Sequence, residues 1–187
     1  MQKRAFFLDR DGTINVEKNY LHKVEDWEWT PGAIEAIKLI NEAGYLAIVV
    51  SNQAGIARGY YTEKDVESLH GQVDAMLAKH GAHIDAYYYC PHHTDVGEIR
   101  DCDCRKPKPG LLIQAQQDWD IDFEKSFMIG DKLIDAEAAM RVGVAPVVVM
   151  TGYGEAESTM ASQQTKFSKN LYEAVNNILN NKANNGI

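Results

Sequence analysis

The sequence is short of positive charge: its 187 residues carry 19 Lys and Arg against 27 Asp and Glu, a net charge of −8. Surfaces that bind nucleic acid or anionic membranes usually carry excess basic residues, so we expect neither partner. No apolar run approaches the roughly 20 residues of a membrane span, and the run before Asp9 is too short for a signal peptide. These absences predict a cytoplasmic protein, and the small size predicts a monomer.

Cysteine is also scarce, with only Cys90, Cys102 and Cys104. An odd, clustered set in a reducing compartment argues against a disulfide framework. Together with His92, the cysteines supply four ligands suited to a closed tetrahedral Zn²⁺ site. His93 is an alternative ligand to His92, and three reduced cysteines in the core are the alternative to a metal. Because four protein ligands leave no open position for water, we expect a structural zinc that stiffens this loop insert.

Alternating strand and helix signals dominate the rest of the chain. Short apolar runs predict strands at residues 5–8, 46–50, 84–89, 126–129 and 147–150. Capping residues and apolar periodicity predict helices that start at Thr30–Pro31, follow Thr62, open at Pro109, contain Ala136 and contain Leu171. This order is typical of a Rossmann-like α/β fold, a three-layer arrangement of one parallel sheet with helices on both faces.

We predict a single domain over residues 1–187, with no large cap domain. Residues 153–169 are polar and weakly patterned. The Asn-rich tail, from about residue 180 to 187, is expected to fray.

The first predicted strand ends in Asp9 and Asp11, followed by Gly12 and Thr13. In open α/β sheets, ligands bind at the carboxyl ends of the strands. Two carboxylates held close together repel unless a cation lies between them or one of them binds a proton. The motif therefore predicts a divalent metal site, an acid/base pair, or both; the alternative is a polar turn that caps the next element.

Other polar groups end the neighbouring strands: Ser51 follows the second, Asp131 follows the fourth, and Lys106 precedes a helix. A parallel sheet brings its carboxyl ends to one edge, so these groups can meet Asp9 and Asp11. Carboxylate oxygens suit Mg²⁺, and a carboxylate that faces phosphorus can form an aspartyl-phosphate. A hydroxyl and an ammonium can neutralise the phosphoryl oxygens. Each group alone could instead be a turn residue, a solvated charge or a helix N-cap.

The segments DRDGT, SNQ, RKPKPG and GDKLID resemble the four motifs of haloacid-dehalogenase-superfamily phosphatases, over roughly residues 4–152. The resemblance implies that Asp9 is the nucleophile and Asp11 the general acid/base, which we expect to be kept partly protonated by its neighbour. It implies that Ser51 is the phosphate-binding hydroxyl and Lys106 the phosphate-binding lysine.

The same resemblance implies a Mg²⁺ ion held by Asp9, by the main-chain carbonyl of Asp11 and by Asp131. Asp135 matches a further acidic position of the last motif, with a supporting role only. The cluster of Cys90, His92, Cys102 and Cys104 resembles the zinc-containing branch of this superfamily.

That branch holds the D-glycero-D-manno-heptose-1,7-bisphosphate 7-phosphatases and the histidinol-phosphatases. Residues 51–59 and 20–22 resemble the heptose enzymes more closely, although Ala54 replaces the serine of their motif. The implied reaction is Mg²⁺-dependent removal of the C7 phosphate, in the ADP-heptose pathway to lipopolysaccharide or S-layer heptose. Histidinol-phosphate hydrolysis in histidine biosynthesis is the alternative, and a catalytically dead zinc-stabilised binding module is a third.

The expected substrate is a small phosphorylated sugar. The implied contact residues are Glu17, Lys18, Asn19, Tyr20, Ser51, Asn52, Gln53, Ala54, Arg58, Arg105, Lys106 and Lys132. Three of these cations, Arg58, Arg105 and Lys132, are candidates to receive a second phosphate dianion. Histidinol phosphate would instead need carboxylates for its ammonium group, and Glu17, Glu25 and Asp26 could provide them.

Overall fold

The computed structural model describes residues 2–161 and 165–185, with side chains up to residue 181. The strands are β1 Ala5–Leu8, β2 Leu46–Asn52, β3 Ala86–Cys90, β4 Phe127–Gly130, β5 Ala145–Val149 and β6 Phe167–Ser168. The helices are α1 Ala33–Glu42, α2 Glu63–Ala78, α3 Gly110–Trp119, α4 Leu133–Met140, α5 Gly154–Ser158 and α6 Leu171–Asn185. All six strands lie parallel in the order β3-β2-β1-β4-β5-β6, which confirms the predicted sheet.

Both faces of the sheet are covered, because successive side chains of a strand point to opposite faces. Phe6 packs in one core with Ile37 of α1 and Val175 of α6. Phe7 packs in a second core with Leu112 of α3 and with α4. The strands are therefore buried on both sides, which explains their continuous apolar sequences and confirms the three-layer fold.

The start of α1 differs from the prediction. The helix begins at Ala33, and its N-cap is Gly32 rather than Thr30. Gly32 has a φ of 78°, a left-handed conformation that cannot belong to the helix and that favours glycine. The Thr30 hydroxyl instead donates to the carbonyl of Thr13, so it ties this segment to the loop after β1. The predicted capping box of α2, Thr62 with Asp65, is confirmed.

The C-terminal region is more regular than the sequence suggested. Residues 153–169 contain the short helix α5 and the two-residue edge strand β6, neither of which we predicted. Helix α6 continues to Asn185, past the point where we expected fraying, because Leu171, Ala174 and Val175 anchor it in the core. Residues 162–164 and the last two of the expected frayed tail, 186–187, lie outside the described residues.

Two long segments without regular helices border the carboxyl edge of the sheet: residues 9–32, which contain one short 3-10 helix, and residues 91–109. The second, which we call the cysteine loop, matches the irregular insert predicted from the sequence. No helix within the described part of the chain is long and apolar enough to cross a membrane.

Candidate active site

Neighbouring parallel strands bring the candidate side chains to one edge. Leu8 at the end of β1 lies opposite Ile129 of β4, and the Asp9 amide donates to the Ile129 carbonyl at 2.9 Å. On its other side β1 pairs with β2, which carries Ser51. Asp131 directly follows β4. The predicted convergence of strand ends therefore exists.

Lys106 reaches into this edge from the cysteine loop, and only 3% of its surface is exposed. Its ammonium lies 2.6 Å from Asp9 Oδ1, 2.7 Å from Asp135 Oδ1 and 2.7 Å from the Val50 carbonyl. Burial lowers the pKa of this lysine, but the charges of Asp135 and Asp9 outweigh burial and hold the pKa above its usual value. Lys106 is thus a fixed cation at the centre of the site.

The carboxylates outnumber this cation. Burial, with the charge of Asp135, raises the pKa of Asp9 to about 6 despite the opposing effect of Lys106. Burial and the charge of Asp9 raise the pKa of Asp131 to about 8. Both shifts report that the folded chain concentrates negative charge here. A divalent cation would relieve that repulsion.

The donor set fits such an ion. One carboxylate oxygen each from Asp9, Asp131 and Asp135 lies within 4.8 Å of the others, and oxygen ligands of this kind suit Mg²⁺. Asp131 Oδ1 is buried and has no hydrogen-bond partner among the described residues. Only glycine leaves room for this side chain at positions 12 and 152, because a Cβ on Gly12 or on Gly152 would lie 2.2 Å from Asp131 Oδ2. Asp135 belongs to this cluster and also pairs with Lys106.

Asp11 is held differently from the expectation. Its carboxylate pairs with the buried Arg10 guanidinium at 2.9 Å and accepts from Asn15 at 3.0 Å and Gln53 at 3.0 Å. Burial alone would raise the pKa of Asp11, but Arg10 and these hydrogen bonds hold it below its usual value. We expected partial protonation by repulsion from Asp9; in the structure, local donors stabilise the ionised form instead.

These groups open into a cavity of about 230 Å³. Its lining comprises Asp9, Asp11, Glu17, Asn19, Tyr20, Ser51, Asn52, Gln53, Ala54, Tyr61, His93, Arg105, Lys106, Lys132, Ile134, Asp135 and Tyr153. Two expected contacts, Lys18 and Arg58, are absent from this lining, and Lys18 instead pairs with Glu28 at 3.0 Å.

Four lining residues had no expected role at the active site: Tyr61, His93, Ile134 and Tyr153. Tyr61 precedes α2 and Tyr153 precedes α5, positions without any local signal of a site. They reach the cavity only through the packing of distant segments.

The side-chain amides of two expected substrate contacts form hydrogen bonds to other residues of the protein. Asn52 donates to the Lys106 carbonyl at 3.1 Å and accepts from the Lys106 amide at 3.1 Å. Gln53 donates to Asp11 and to Ser51, and it accepts from Tyr61. Asn52 thus holds the backbone that carries the catalytic-site lysine.

Cations also border the cavity. Lys132 lies 3.7 Å from Glu17 and 4.3 Å from the centre of the Tyr153 ring. Burial lowers the pKa of Lys132, but the charges of Asp131 and Asp9 raise it above its usual value. Arg105 donates to the His92 carbonyl at 3.1 Å, which links the cavity rim to the cysteine loop.

The four predicted zinc ligands lie close together: Cys90 ends β3, and His92, Cys102 and Cys104 belong to that loop. Cys104 Sγ lies 3.1 Å from Cys90 Sγ, 3.3 Å from Cys102 Sγ and 3.3 Å from His92 Nδ1. In a tetrahedral site with Zn–S bonds of about 2.3 Å, sulfurs lie roughly 3.8 Å apart, so a small expansion would admit the ion. All three thiols are free, as a metal site requires.

The structure separates the two candidate histidines. His92 lies in the sulfur cluster, whereas His93 faces Arg58, with 2.8 Å between Nε2 and the guanidinium. The other ring nitrogen of His93 accepts from the Asp95 amide at 3.0 Å. The geometry therefore favours His92 as the fourth ligand.

Comparisons with known proteins agree with this geometry. A family model described as HAD-hydrolase-like matches residues 103–174. The D-glycero-beta-D-manno-heptose-1,7-bisphosphate 7-phosphatase of Pasteurella multocida is 46% identical over 153 residues, which are 80% of this chain and 83% of that protein. The enzyme of the same name from Escherichia coli is 46% identical over 152 residues, 79% of this chain and 80% of that protein.

Solved structures are similar over almost the whole chain. The D,D-heptose 1,7-bisphosphate phosphatase of B. bronchiseptica, complexed with magnesium and phosphate, superposes with a TM-score of 0.87 at 30% identity. The match covers 95% of this chain and 99% of that one. The corresponding phosphatase of Burkholderia thailandensis gives a TM-score of 0.72 at 27% identity, covering 95% and 99%.

Proposed function

Since this chain belongs to the D-glycero-D-manno-heptose-1,7-bisphosphate 7-phosphatase family of haloacid-dehalogenase-like hydrolases, we propose that it removes the C7 phosphate of that sugar bisphosphate. The observation that carries the proposal is the Lys106 ammonium that joins Asp9 and Asp135 beside Asp131. A fixed cation among carboxylates at the carboxyl edge of a parallel sheet is suited to phosphoryl transfer.

The proposed reaction has two steps. In the first, an Asp9 oxygen attacks phosphorus, the bond between phosphorus and the C7 oxygen breaks, and that oxygen takes a proton from Asp11. In the second, water attacks the phosphorus of the aspartyl-phosphate, Asp11 takes a proton from the water, and the bond to Asp9 breaks to release phosphate. Ser51 and Lys106 neutralise the phosphoryl oxygens in both steps.

The pairing with Arg10 bears on the role of Asp11. The ionised form that Arg10, Asn15 and Gln53 stabilise is the base that the second step needs. The first step needs the proton, so we infer that Asp11 turns away from Arg10 when it serves the leaving oxygen.

Asp9, Asp131 and the main-chain carbonyl of Asp11 would hold Mg²⁺, which supplies positive charge to the phosphoryl oxygens when bound. The buried, unpartnered oxygen of Asp131 supports this assignment. Asp135 fixes Lys106 and accepts a hydrogen bond from the Lys132 amide at 3.1 Å.

A structural Zn²⁺ held by Cys90, His92, Cys102 and Cys104 is the second proposed metal. Its last ligand, Cys104, lies two residues before Lys106, and the Asn52 side-chain amide binds the backbone of that lysine. The ion would thereby stiffen the segment that delivers Lys106 to Asp9.

Arg58 and His93 are the proposed contacts for the second phosphate, together with Arg105 and Lys132. A neutral imidazole has one accepting nitrogen, yet both nitrogens of His93 face N–H donors, one from Asp95 and one from Arg58. An oxyanion beside this pair could accept from Arg58 and from the Nε2–H of His93, so that every donor would have an acceptor. Lys18 is dropped from the proposed contacts because it points away to Glu28.

Histidinol phosphate is disfavoured by the same cavity. Of the three carboxylates expected to receive its ammonium, Glu17 pairs with Lys132. Glu25 and Asp26 are not among the described residues that line the cavity.

A single domain over residues 1–187, a cytoplasmic location and a monomeric state stay predictions, and the continuous sheet supports the first of them.

Phosphate release from a substrate panel tests the function. The panel contains both anomers of the 1,7-bisphosphate, heptose 7-phosphate and histidinol phosphate, each with Mg²⁺. We expect the β-bisphosphate to have the highest kcat/KM. Heptose 7-phosphate should have mainly a higher KM, because it lacks the second dianion. Faster turnover of histidinol phosphate would contradict the proposal.

A further inference from the structure

Tyr61 lies outside all four sequence motifs, yet it touches their hydrogen-bond network. It is 6% exposed, lines the cavity and donates its hydroxyl to Gln53 Oε1 at 2.7 Å. In the sequence it stands only in the turn before α2. A buried hydroxyl at this point needs a reason beyond packing, since a phenyl ring would fill the same space.

The ring is held in a slot. A Cβ on Gly55 would lie 2.1 Å from Tyr61 Cε1 and 2.7 Å from its hydroxyl oxygen, so only glycine at that position admits the ring. His22 stacks on the ring with centroids 4.9 Å apart and planes inclined by 19°. Burial raises the pKa of Tyr61 to about 12, which keeps the phenol protonated as a donor.

The contact fixes which way the Gln53 amide points. With Oε1 turned to Tyr61, the Nε2 group faces Asp11 Oδ2 at 3.0 Å and Ser51 Oγ at 2.7 Å. Both N–H bonds of the amide are then used. Because Ser51 accepts from Gln53, its own hydroxyl hydrogen is left to be donated elsewhere, such as to a phosphoryl oxygen.

We propose that Tyr61 is a positioning residue, which acts through the Gln53 amide to hold the Asp11 carboxylate in the orientation in which it is the base of the second step, and the Ser51 hydroxyl in its phosphate-binding orientation. The inference rests on the proposed function, since it assigns these two groups to acid/base chemistry and phosphate binding. Tyr61 thereby couples the segment before α2 to the motifs at the ends of β1 and β2.

The variant Y61F tests the proposal, because it keeps the ring in its slot and removes only the hydroxyl. Loss of one neutral hydrogen bond that orients reacting groups should lower kcat about ten-fold, with KM changed less than about two-fold. The matched control is Y60F at the neighbouring tyrosine, which is 56% exposed and should keep wild-type kcat and KM. Thermal melting of all three proteins checks that each is folded.

A second readout separates positioning from a general loss of structure. An aryl phosphate with a good leaving group releases its aryloxide without a proton, so only hydrolysis of the aspartyl-phosphate then needs Asp11. Y61F should give a burst of about one aryloxide per enzyme, followed by turnover about ten-fold slower than wild type. Partial unfolding would instead reduce the burst and the later rate together.

The variant Q53M provides an independent check, since it removes the donor to both partners and should lower kcat more than Y61F does. Wild-type kinetics in Y61F, or an equal loss in Y60F, would overturn this inference and leave the proposed function standing. Absence of phosphatase turnover by the wild-type protein would overturn both.

Discussion

The carboxylate edge, formed by Asp9, Asp131 and Asp135, and the cysteine loop of residues 91–109 are stabilised by different means. The three carboxylates are 6%, 0% and 2% exposed and stand on strand ends or the first turn of α4. In contrast, the cysteine loop has no helix or strand, and many of its residues are exposed. The sheet can therefore position the carboxylates unaided, whereas the loop lacks a core of its own.

Lys106 joins the two regions, because it belongs to the loop but is buried among the carboxylates. The carboxylates of the site are thus positioned by the sheet and α4, whereas Lys106, the cation buried among them, is delivered by an irregular segment. The variants D9N, C104S and N52A test this division, and a fourth variant, H70F, concerns a residue outside both regions.

The largest effect is expected for D9N. Loss of the nucleophile should lower kcat about 10,000-fold or more. Because the pKa of Asp9 is raised in the folded protein, folding disfavours its charged form relative to the unfolded chain, and asparagine can still accept from Lys106. The melting temperature without added metal should therefore not fall. Residual turnover within a hundred-fold of wild type would contradict the covalent mechanism, and so would phosphorylation of another residue during turnover.

Loss of the proposed zinc should have the next largest effect. C104S removes the ligand that contacts the other three, so bound zinc should fall from one per chain to none. We expect kcat to fall up to about 100-fold, since an unsupported loop no longer holds Lys106, while circular dichroism of the sheet and helices persists.

The control is H93A, measured by zinc content, because His93 lies outside the sulfur cluster. Full zinc retention in C104S, or zinc loss in H93A, would show that the ligand set is wrong. Zinc-free protein with unchanged kcat would show that the ion does not support Lys106.

A smaller effect is expected for N52A, which removes the two hydrogen bonds between the Asn52 side chain of β2 and the cysteine loop. Two hydrogen bonds to the Lys106 backbone are lost, so kcat should fall about ten-fold and stability by about 1–2 kcal/mol.

The chain offers a matched control for N52A. Asn41 makes the same paired hydrogen bonds with the backbone of His83, at 3.1 and 2.9 Å, far from the cavity. N41A should cost similar stability and leave kcat unchanged. Equal kcat values for N52A and N41A would show that Asn52 has no special role in positioning Lys106.

The smallest effect at neutral pH lies outside both regions and concerns the stability of the fold in acid. His70 is 6% exposed and stacks on Tyr87, and burial lowers its pKa to about 3. The unfolded chain binds this proton below its ordinary pKa near 6.5 and the folded chain does not. Stability should therefore fall by up to about 1.4 kcal/mol per pH unit between roughly pH 6 and 3 because of this residue.

H70F keeps the stacking and should remove that part of the slope, as measured by urea unfolding across this range. Above pH 7, the free energy of unfolding should change with pH in the same way in H70F and in the wild-type protein. If the unfolding free energy of H70F fell with pH as steeply as that of the wild type, groups other than His70 would be responsible for the acid sensitivity.

Local sequence was enough to predict the sheet and the carboxylate edge. Each buried strand is a continuous apolar run, and each run that bears a reacting group ends in Asp or Ser, so parallel pairing alone brings Asp9, Ser51 and Asp131 together. The cluster of Cys90, His92, Cys102 and Cys104 was predicted in the same way, because these residues lie close together in the sequence. The edge strand β6 was missed, since two residues carry no periodic signal.

By itself, then, the sequence determined the five strands β1 to β5 and the carboxylates Asp9 and Asp131 that follow two of them. Only the tertiary structure decided that Arg10 holds Asp11 ionised, that Asn52 and Gln53 turn their amides inward, and that Tyr61 and His93 reach the cavity. The physical reason is that strand formation depends on neighbouring residues. The protonation and hydrogen-bond partners of a buried polar group depend on which distant groups share its desolvated space.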